Sequence, residues 1–435
     1  VQRMNRHQNN LDFILVNATD GSARTIFTET DDAYIDVTDN LTFLNDGEHF
    51  VWTSEKSAYN HIYLYNLKGR QVRKITKGDY DVTDFYGVDE TNNTVYFASA
   101  ERSPMHRDVY AVQLNGRNKR VLTNKMGTNS ATFSTSYKYF INQHSDANTP
   151  YYFSLYNAEG SEVRMLKDNS RLNGALSEYA LSNKEFFNFE TTEGVNLNGW
   201  MMKPHDFDAT KEYPVFMFLY GGPGSQQVTD AWGGSNYMWY QMLTQQGYIV
   251  ACVDNRGTGA RGAEFKKCTY QQLGKLETVD QIEANRYLAG LPYVDGSRIG
   301  IFGWSYGGYM SSLCLLKGAD DFKMAIAVAP VTNWRYYDSI YTERYMRTPQ
   351  ENASGYDDNS PINHVEKLKG KYLLIHGSAD DNVHYQNTME MVNAMVNANK
   401  QFDLFIYPNK NHGIYGGYTR LHLFTKMTNF IKENL

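Results

Sequence analysis

Arg298-Ile299-Gly300-Ile301-Phe302-Gly303-Trp304-Ser305-Tyr306-Gly307-Gly308 is the stretch that decides the fold of the second half of the chain. Arg298–Phe302 reads as a short apolar strand, and Tyr306–Leu316 carries a helical pattern. Between them, Gly303-Trp304-Ser305-Tyr306-Gly307 fits G-x-S-x-G, a sharp turn that lifts a serine hydroxyl above the end of a sheet. Glycines on both sides of Ser305, and Gly308 after them, let strand and helix pass without a Cβ clash. The start of the helix also favours negative charge developing nearby. A strand, this turn and a helix in direct succession make Ser305 the candidate nucleophile.

Outward from this turn, short apolar runs alternate with amphipathic stretches. Strands are expected at Val215–Tyr220, Tyr248–Val253, Ile299–Gly303, Met324–Val328, Tyr372–His376 and Leu404–Tyr407. Helices are expected at Val279–Leu288, Tyr306–Leu316, Asn387–Val396 and Leu421–Lys432. That alternation implies a mostly parallel sheet with helices on both faces, here of α/β-hydrolase type. Active groups then sit on the loops past the carboxyl ends of the strands. A serine hydroxyl needs a base near neutral pH, and in this arrangement the acid and then the histidine follow the serine in the chain. Gly377-Ser378-Ala379-Asp380-Asp381-Asn382 and Pro408-Asn409-Lys410-Asn411-His412-Gly413 are the two loops that fit. His412 is the base candidate, and Asp380 or Asp381 its orienting acid. His376 and His384 precede the last strand and flank the acid, so they read as structural; His364 and His422 read as ordinary. One oxyanion donor is expected from the backbone N–H of Tyr306. The other is expected from the loop Leu219-Tyr220-Gly221-Gly222-Pro223-Gly224, as the Tyr220 hydroxyl or a glycine N–H.

The first half is different and repeats itself. Turn glycines Gly21, Gly69, Gly116 and Gly160 are separated by 48, 47 and 44 residues. The segments before them align as Ile62-Tyr63-Leu64-Tyr65, Val109-Tyr110-Ala111-Val112 and Phe153-Ser154-Leu155-Tyr156. Those after them align as Arg73-Lys74-Ile75-Thr76, Arg120-Val121-Leu122-Thr123 and Arg164-Met165-Leu166-Lys167. Four short strands in a unit of about 45 residues is the signature of a β-propeller blade. Three and a half blades are legible, fewer than a closed propeller uses, and the chain starts inside a strand. Earlier blades are therefore expected upstream of Val1. The expected division is blades over 1–195 and an α/β-hydrolase domain over 196–435.

Composition sets the outer bounds. With 435 residues and 41% hydrophobic content the chain can build two cores. Its 34 tyrosines and 22 phenylalanines favour strands. A net charge of −6 without a dominant basic patch argues against nucleic-acid binding. No apolar run reaches transmembrane length, and no leader follows Val1. The 3 cysteines give no even disulfide framework and read as free thiols.

Four motifs taken together resemble the prolyl oligopeptidase family of serine peptidases. They are Leu219-Tyr220-Gly221-Gly222-Pro223-Gly224, Asp254-Asn255-Arg256-Gly257, Gly303-Trp304-Ser305-Tyr306-Gly307-Gly308 and Ala379-Asp380-Asp381-Asn382-Val383. The run Pro330-Val331-Thr332-Asn333-Trp334-Arg335-Tyr336-Tyr337-Asp338-Ser339-Ile340-Tyr341-Thr342-Glu343-Arg344-Tyr345-Met346 is similar to the branch that removes dipeptides from N-termini. That branch acts where Pro, or less well Ala, is second. The resemblance is strong from about residue 213 and weaker in the blades. It implies Asp380 as the acid and the Tyr220 hydroxyl, with the Tyr306 N–H, as the oxyanion donors. It implies a proline pocket of Tyr306, Val331, Trp334, Tyr337, Tyr341 and Val383, with Asn382 on a substrate carbonyl. It further implies a homodimer, no metal or other cofactor, and a periplasmic or surface location. The family holds the substrate amine with two adjacent glutamates and an arginine; this chain has no Glu-Glu pair, so those groups are expected before Val1. Rival expectations are an endo-oligopeptidase or esterase on the same three residues, and a catalytically silent binding protein.

Overall fold

The computed structural model describes residues 1–234 and 236–435. It divides into two compact units, Val1–Tyr179 with Thr229–Gly233 and Gly259–Lys267, and Ala180–Val228 with Gly234–Thr258 and Cys268–Leu435.

The first unit is a row of small antiparallel sheets, each a meander. One has three strands, Gln2–Met4, Asn10–Val16 and Ala23–Thr30. The next has four, Thr42–Phe43, His49–Ser54, His61–Asn66 and Gln71–Lys74. Two more four-stranded sheets span Val82–Val121 and Thr128–Lys167. This is propeller architecture, and it follows from period-two alternation. Phe50 and Trp52 face Phe13 of the first sheet, while Val51 between them joins Val95 and Phe97 of the third. Tyr96, one step along from those two, packs with Phe140 and Tyr156 of the fourth. Each strand thus feeds the cores on both sides of its sheet. The segment Gly262–Lys267 is tied into this unit by charge: Lys267 Nζ lies 2.7 Å from Asp31 and 3.0 Å from Glu55.

The repeated turn glycines have a steric reason. All four adopt positive φ. A Cβ on Gly69 would lie 1.7 Å from the carbonyl oxygen of Ile26 in the preceding sheet. On Gly160 it would lie 3.0 Å from Leu122, and on Gly116 3.2 Å from the Ile75 oxygen. These three hairpin turns therefore press onto the backbone of the sheet before them. Gly21 has nothing within 4 Å of that position.

The second unit is built on one eight-stranded sheet, numbered here along the chain: β1 Lys184–Glu190, β2 Asn196–Met202, β3 Tyr213–Phe218, β4 Ile249–Asp254, β5 Val294–Trp304, β6 Met324–Val328, β7 Lys371–Gly377 and β8 Asp403–Tyr407. Their spatial order is β1-β2-β4-β3-β5-β6-β7-β8. β3 to β8 run parallel, and β1 and β2 form an antiparallel hairpin at one edge. The six strands expected from sequence are all present, with ends displaced by a few residues. The longer helices are α1 Tyr237–Gln245, α2 Lys275–Ala289, α3 Tyr306–Lys317, α4 Ser339–Met346, α5 Gln386–Asn397 and α6 Thr419–Asn434. The strands β4 and β6 are buried throughout, as strands covered on both faces must be. This is the α/β-hydrolase fold. The division expected at 195/196 falls inside the β1–β2 hairpin. Lys184–Glu190 pairs along its whole length with Asn196–Met202, so the hydrolase unit starts near Ala180. Its alternating Phe186-Phe187-Asn188-Phe189 pattern had given no sign of which sheet it would join.

Substituting alanine at these turns separates backbone conformation from contact. Gly21→Ala should cost only the positive-φ penalty, about 1–2 kcal/mol. Gly69→Ala should cost clearly more, because its Cβ meets backbone that cannot turn aside. Chemical denaturation of the two variants measures the difference; equal losses would mean that the turn does not press on the neighbouring sheet.

Candidate active site

Ser305 stands at the carboxyl end of β5 and caps α3, with φ 60° and ψ −117°. A non-glycine residue there is strained, and strain of this kind collects at functional sites. The turn is held by Ser305 N–H donating to the Val328 carbonyl at 2.8 Å and Tyr309 N–H to the Ser305 carbonyl at 3.0 Å. The glycines are needed for passage. A Cβ on Gly303 would lie 2.0 Å from the Gly307 oxygen, and one on Gly307 would lie 2.4 Å from the Leu219 oxygen. One on Gly308 would lie 2.9 Å from the Val328 oxygen. The clash argument from sequence is met atom by atom. The Gly307 contact also presses the start of α3 against the Leu219–Tyr220 backbone.

The loops after β7 and β8 bring the acid and the base together. His412 Nδ1 lies 2.7 Å from Asp380 Oδ2. An acceptor at that nitrogen places the neutral ring's hydrogen on Nδ1 and leaves a lone pair on Nε2. The two loops are joined by Ala379 N–H to the Lys410 carbonyl at 3.0 Å and Asn409 N–H to Ser378 Oγ at 2.9 Å. Trp304, the residue before Ser305, donates its indole N–H to the His412 carbonyl at 3.0 Å. The histidine loop is thereby tied to the serine turn. Arg420 of α6 stacks on the same indole, 4.9 Å from its centre.

Of the two candidate acids, only Asp380 is buried and bonded to His412; Asp381 is exposed. Asp380 also accepts from the N–H groups of Asn382 and Val383 at 2.9 and 3.0 Å. Burial would raise its pKa. Hydrogen bonds from His376 and His412, the charge His412 can carry and the Asn382 N–H outweigh that, and hold the carboxyl well below the usual carboxylate range.

His376 has more to do than its sequence position indicated. It is fully buried. Its Nε2 lies 2.8 Å from the Val383 carbonyl and 3.2 Å from Asp380 Oδ2. Both are acceptors, so this nitrogen carries a hydrogen and helps to hold Asp380. Nδ1 bonds the Thr388 hydroxyl at 2.7 Å. The sequence signal was its place at the end of β7, four residues before the acid. His384 is exposed, His422 bonds the Tyr407 hydroxyl at 2.8 Å and His364 the Asp358 carbonyl at 2.7 Å.

Tyr220 ends the β3 loop, with its ring 5.9 Å from that of Tyr306. Gly221 behind it is at positive φ and would clash through a Cβ with Asn255 Oδ1 at 2.6 Å. Asn255 in turn donates to the Gly221 carbonyl at 3.1 Å and accepts from Gln281 at 3.0 Å. Arg256 grips Asp280 through Nε at 3.0 Å and Nη2 at 2.6 Å. The Asp254-Asn255-Arg256-Gly257 motif thus fastens the Tyr220 loop to α2.

The four aromatic residues of the expected pocket also gather. Asn333 caps the turn Trp334–Tyr336 by accepting from Arg335 N–H, and Asp338 caps α4 by accepting from Tyr341 N–H. These caps present Trp334, Tyr337 and Tyr341 together. Trp334 lies 5.4 Å from Tyr306, 5.8 Å edge-on from Tyr337 and 5.9 Å stacked from Tyr341. Val331 and Val383 are buried. The Tyr337 hydroxyl donates to Asn382 Oδ1 at 2.6 Å, which leaves the Asn382 amide N–H₂ as donor. The Tyr306 hydroxyl donates to Glu277 Oε1 at 2.9 Å. Sequence reading had passed over Glu277, because one glutamate in the first turn of a helix carries no signal. Burial pushes its carboxyl up to about 7, against the pull of the N–H groups at the start of α2.

Comparison with known proteins identifies the family. Residues 235–435 match the prolyl oligopeptidase family and residues 1–151 match the dipeptidyl peptidase IV N-terminal region. Dipeptidyl peptidase 4 of Porphyromonas gingivalis superposes with a TM-score of 0.96 at 48% identity, over 100% of this chain and 62% of that one. Dipeptidyl peptidase 4 of Felis catus is 36% identical over 90% of this chain and 52% of its own length. A probable dipeptidyl-aminopeptidase B of Arthroderma gypseum is 38% identical over 85% of this chain and 41% of its own. The chain spans about half the length of the curated relatives it matches, or less. On these grounds it belongs to the prolyl oligopeptidase family, in the dipeptidyl peptidase IV branch.

Proposed function

We propose that the protein is a serine exopeptidase that releases N-terminal dipeptides with Pro, or less well Ala, at the second position. The observation that carries this reading is the 2.7 Å His412–Asp380 contact beside the strained Ser305 turn. In the proposed mechanism His412 Nε2 takes the Ser305 proton as Oγ attacks the scissile carbonyl. Asp380 keeps the imidazole in the required tautomer and stabilises the imidazolium. The oxyanion is received by the Tyr306 N–H and the Tyr220 hydroxyl. Burial raises the Tyr220 pKa, so the hydroxyl keeps the hydrogen it has to donate. His412 then protonates the leaving amine, and water resolves the acyl-enzyme by the same steps in reverse.

The second-position pocket would be the box of Tyr306, Val331, Trp334, Tyr337, Tyr341 and Val383. Flat aromatic walls suit a rigid pyrrolidine ring and offer nothing to a charged side chain. Asn382 would donate to the carbonyl one residue upstream, its amide oriented by Tyr337. The reading extends, with the family, to a homodimer and an extracytoplasmic location. Among the described residues no helix is long and apolar enough to cross a membrane.

The primary test uses the full-length protein. Ser305→Ala should lower turnover on Gly-Pro-anilide by on the order of a million-fold, and a fluorophosphonate should label Ser305. Labelling elsewhere, or an active mutant, would overturn the assignment. A strong preference for H-Gly-Pro-anilide over its N-acetyl form separates an exopeptidase from an endo-oligopeptidase.

Asp380→Asn should lose about ten-thousand-fold in turnover, and Asp381→Asn very little. Equal losses would mean that the wrong carboxylate has been chosen. The folded-state pKa of Asp380 lies below its unfolded value. Its contribution to stability is therefore complete above about pH 4 and is lost as pH falls through the folded value. Acid melts of Asp380→Asn should lack that loss.

Tyr220→Phe keeps the ring and removes one donor, so turnover should fall about a hundred- to a thousand-fold. An unchanged turnover with a raised Michaelis constant would contradict the oxyanion role, because that pattern reports uniform binding.

A further inference from the structure

Tyr306 is asked to do two things at once. In the proposed mechanism its backbone N–H receives the oxyanion, and its ring forms a wall of the proposed pocket. The ring lies 5.9 Å from Tyr220 on one side and 5.4 Å from Trp334 on the other. A Cβ on Gly222 would sit 3.2 Å from it, so the Tyr220 loop runs directly across its face. With its faces covered, the position of this ring and of the backbone that carries it depends on what meets the hydroxyl. There stands Glu277, whose Oε1 takes the phenol hydrogen at 2.9 Å.

Glu277 is an expensive way to hold a tyrosine. It is fully buried. Its Oε2 has no hydrogen-bond partner among the described residues. Burial pushes the carboxyl up to about 7, which measures how poorly the site tolerates the charge. Replacing the buried Tyr–Glu pair as a whole by apolar side chains of similar volume would ordinarily be as stable or more so. The neighbouring Tyr309 shows the cheaper solution: its hydroxyl meets the backbone carbonyls of Leu273 and Asn359, at 2.8 and 2.9 Å.

We propose that Glu277 is a positioning residue for the acyl-transfer site: through the Tyr306 hydroxyl it fixes the height of Tyr306, and so sets the oxyanion N–H and the depth of the second-position pocket together. The proposal rests on the peptidase reading above. It makes turnover and selectivity between Pro and Ala two readouts of one contact. If the Tyr306 ring drifts, the pocket no longer matches a pyrrolidine, and the N–H no longer meets the oxyanion. Small misplacements of this kind cost roughly a hundredfold at most per ångström.

The test is a double-mutant cycle in the full-length protein, with Tyr306→Phe, Glu277→Leu and the pair combined. A second cycle uses Glu277→Gln in place of Glu277→Leu, and carries the test if the apolar variant does not fold. Turnover and Michaelis constants are measured on Gly-Pro- and Gly-Ala-anilide, alongside melting temperatures. Each single change is expected to lower turnover on the Pro substrate by roughly ten- to a hundredfold and to narrow the Pro-over-Ala ratio. The combined variant should be no worse than the worse single one, because both remove the same contact. Losses that multiply, or melting temperatures that fall while turnover and the Pro-over-Ala ratio stay unchanged, would overturn the proposal. Failure of the peptidase reading looks different: the unmodified protein would then not cleave Gly-Pro-anilide through Ser305 at all.

Discussion

The end of β5 and the start of α3 pass each other at backbone contact, and the rest of the second unit is arranged around that crossing. A single methyl on Gly303 would put carbon 2.0 Å from the Gly307 oxygen, so the crossing needs a position without a side chain, and one on Gly307 would put carbon 2.4 Å from the Leu219 oxygen of the neighbouring loop. The crossing forces Ser305 to a φ of 60°, a conformation that costs on the order of 1–3 kcal/mol. Around it the structure is tightly packed: Ile299–Gly303 of β5 and all of β6 are buried, α3 is buried along nearly its whole length, and the Tyr220 loop is pressed against the turn. A strained residue is kept in place only where its surroundings leave no alternative.

From that crossing the other groups are set by short chains of contact. Trp304 reaches the His412 carbonyl, Arg420 covers Trp304, and the Asp380 and His412 loops are joined backbone to backbone. Asp380 is enclosed by two histidines and two N–H groups. The low pKa of this carboxyl and the raised pKa of Glu277 come from the same burial with opposite hydrogen-bond supply. Asp380 has several donors and stays charged; Glu277 has too few to offset its desolvation.

The first unit obeys a related steric rule with different consequences. Gly69, Gly116 and Gly160 sit where a hairpin turn meets the backbone of the sheet before it, and the alternation along the strands feeds the cores on either side. The repeat read from the sequence is therefore a packing repeat. The spacing of 47 and 44 residues from Gly69 to Gly116 to Gly160 is the length of chain needed to make one sheet and return to the same contact.

The sequence by itself determined the elements whose cause is local. The G-x-S-x-G turn, the six parallel strands and the blade period follow from steric and periodic constraints within a few residues. The serine, the histidine and a pair of candidate acids followed from chain order. What only the tertiary structure decided depends on burial and direction, which neighbouring residues share until the chain folds. Asp380 and Asp381 are adjacent and chemically alike; one points inward to His412 and the other to solvent, because the loop after β7 turns between them. Lys184–Glu190 is not among the strands expected from the sequence and joins the hydrolase sheet by pairing with Asn196–Met202. His376 and Glu277 look unremarkable in the chain. They matter because folding takes them from water and leaves each facing one particular group, Asp380 and the Tyr306 hydroxyl.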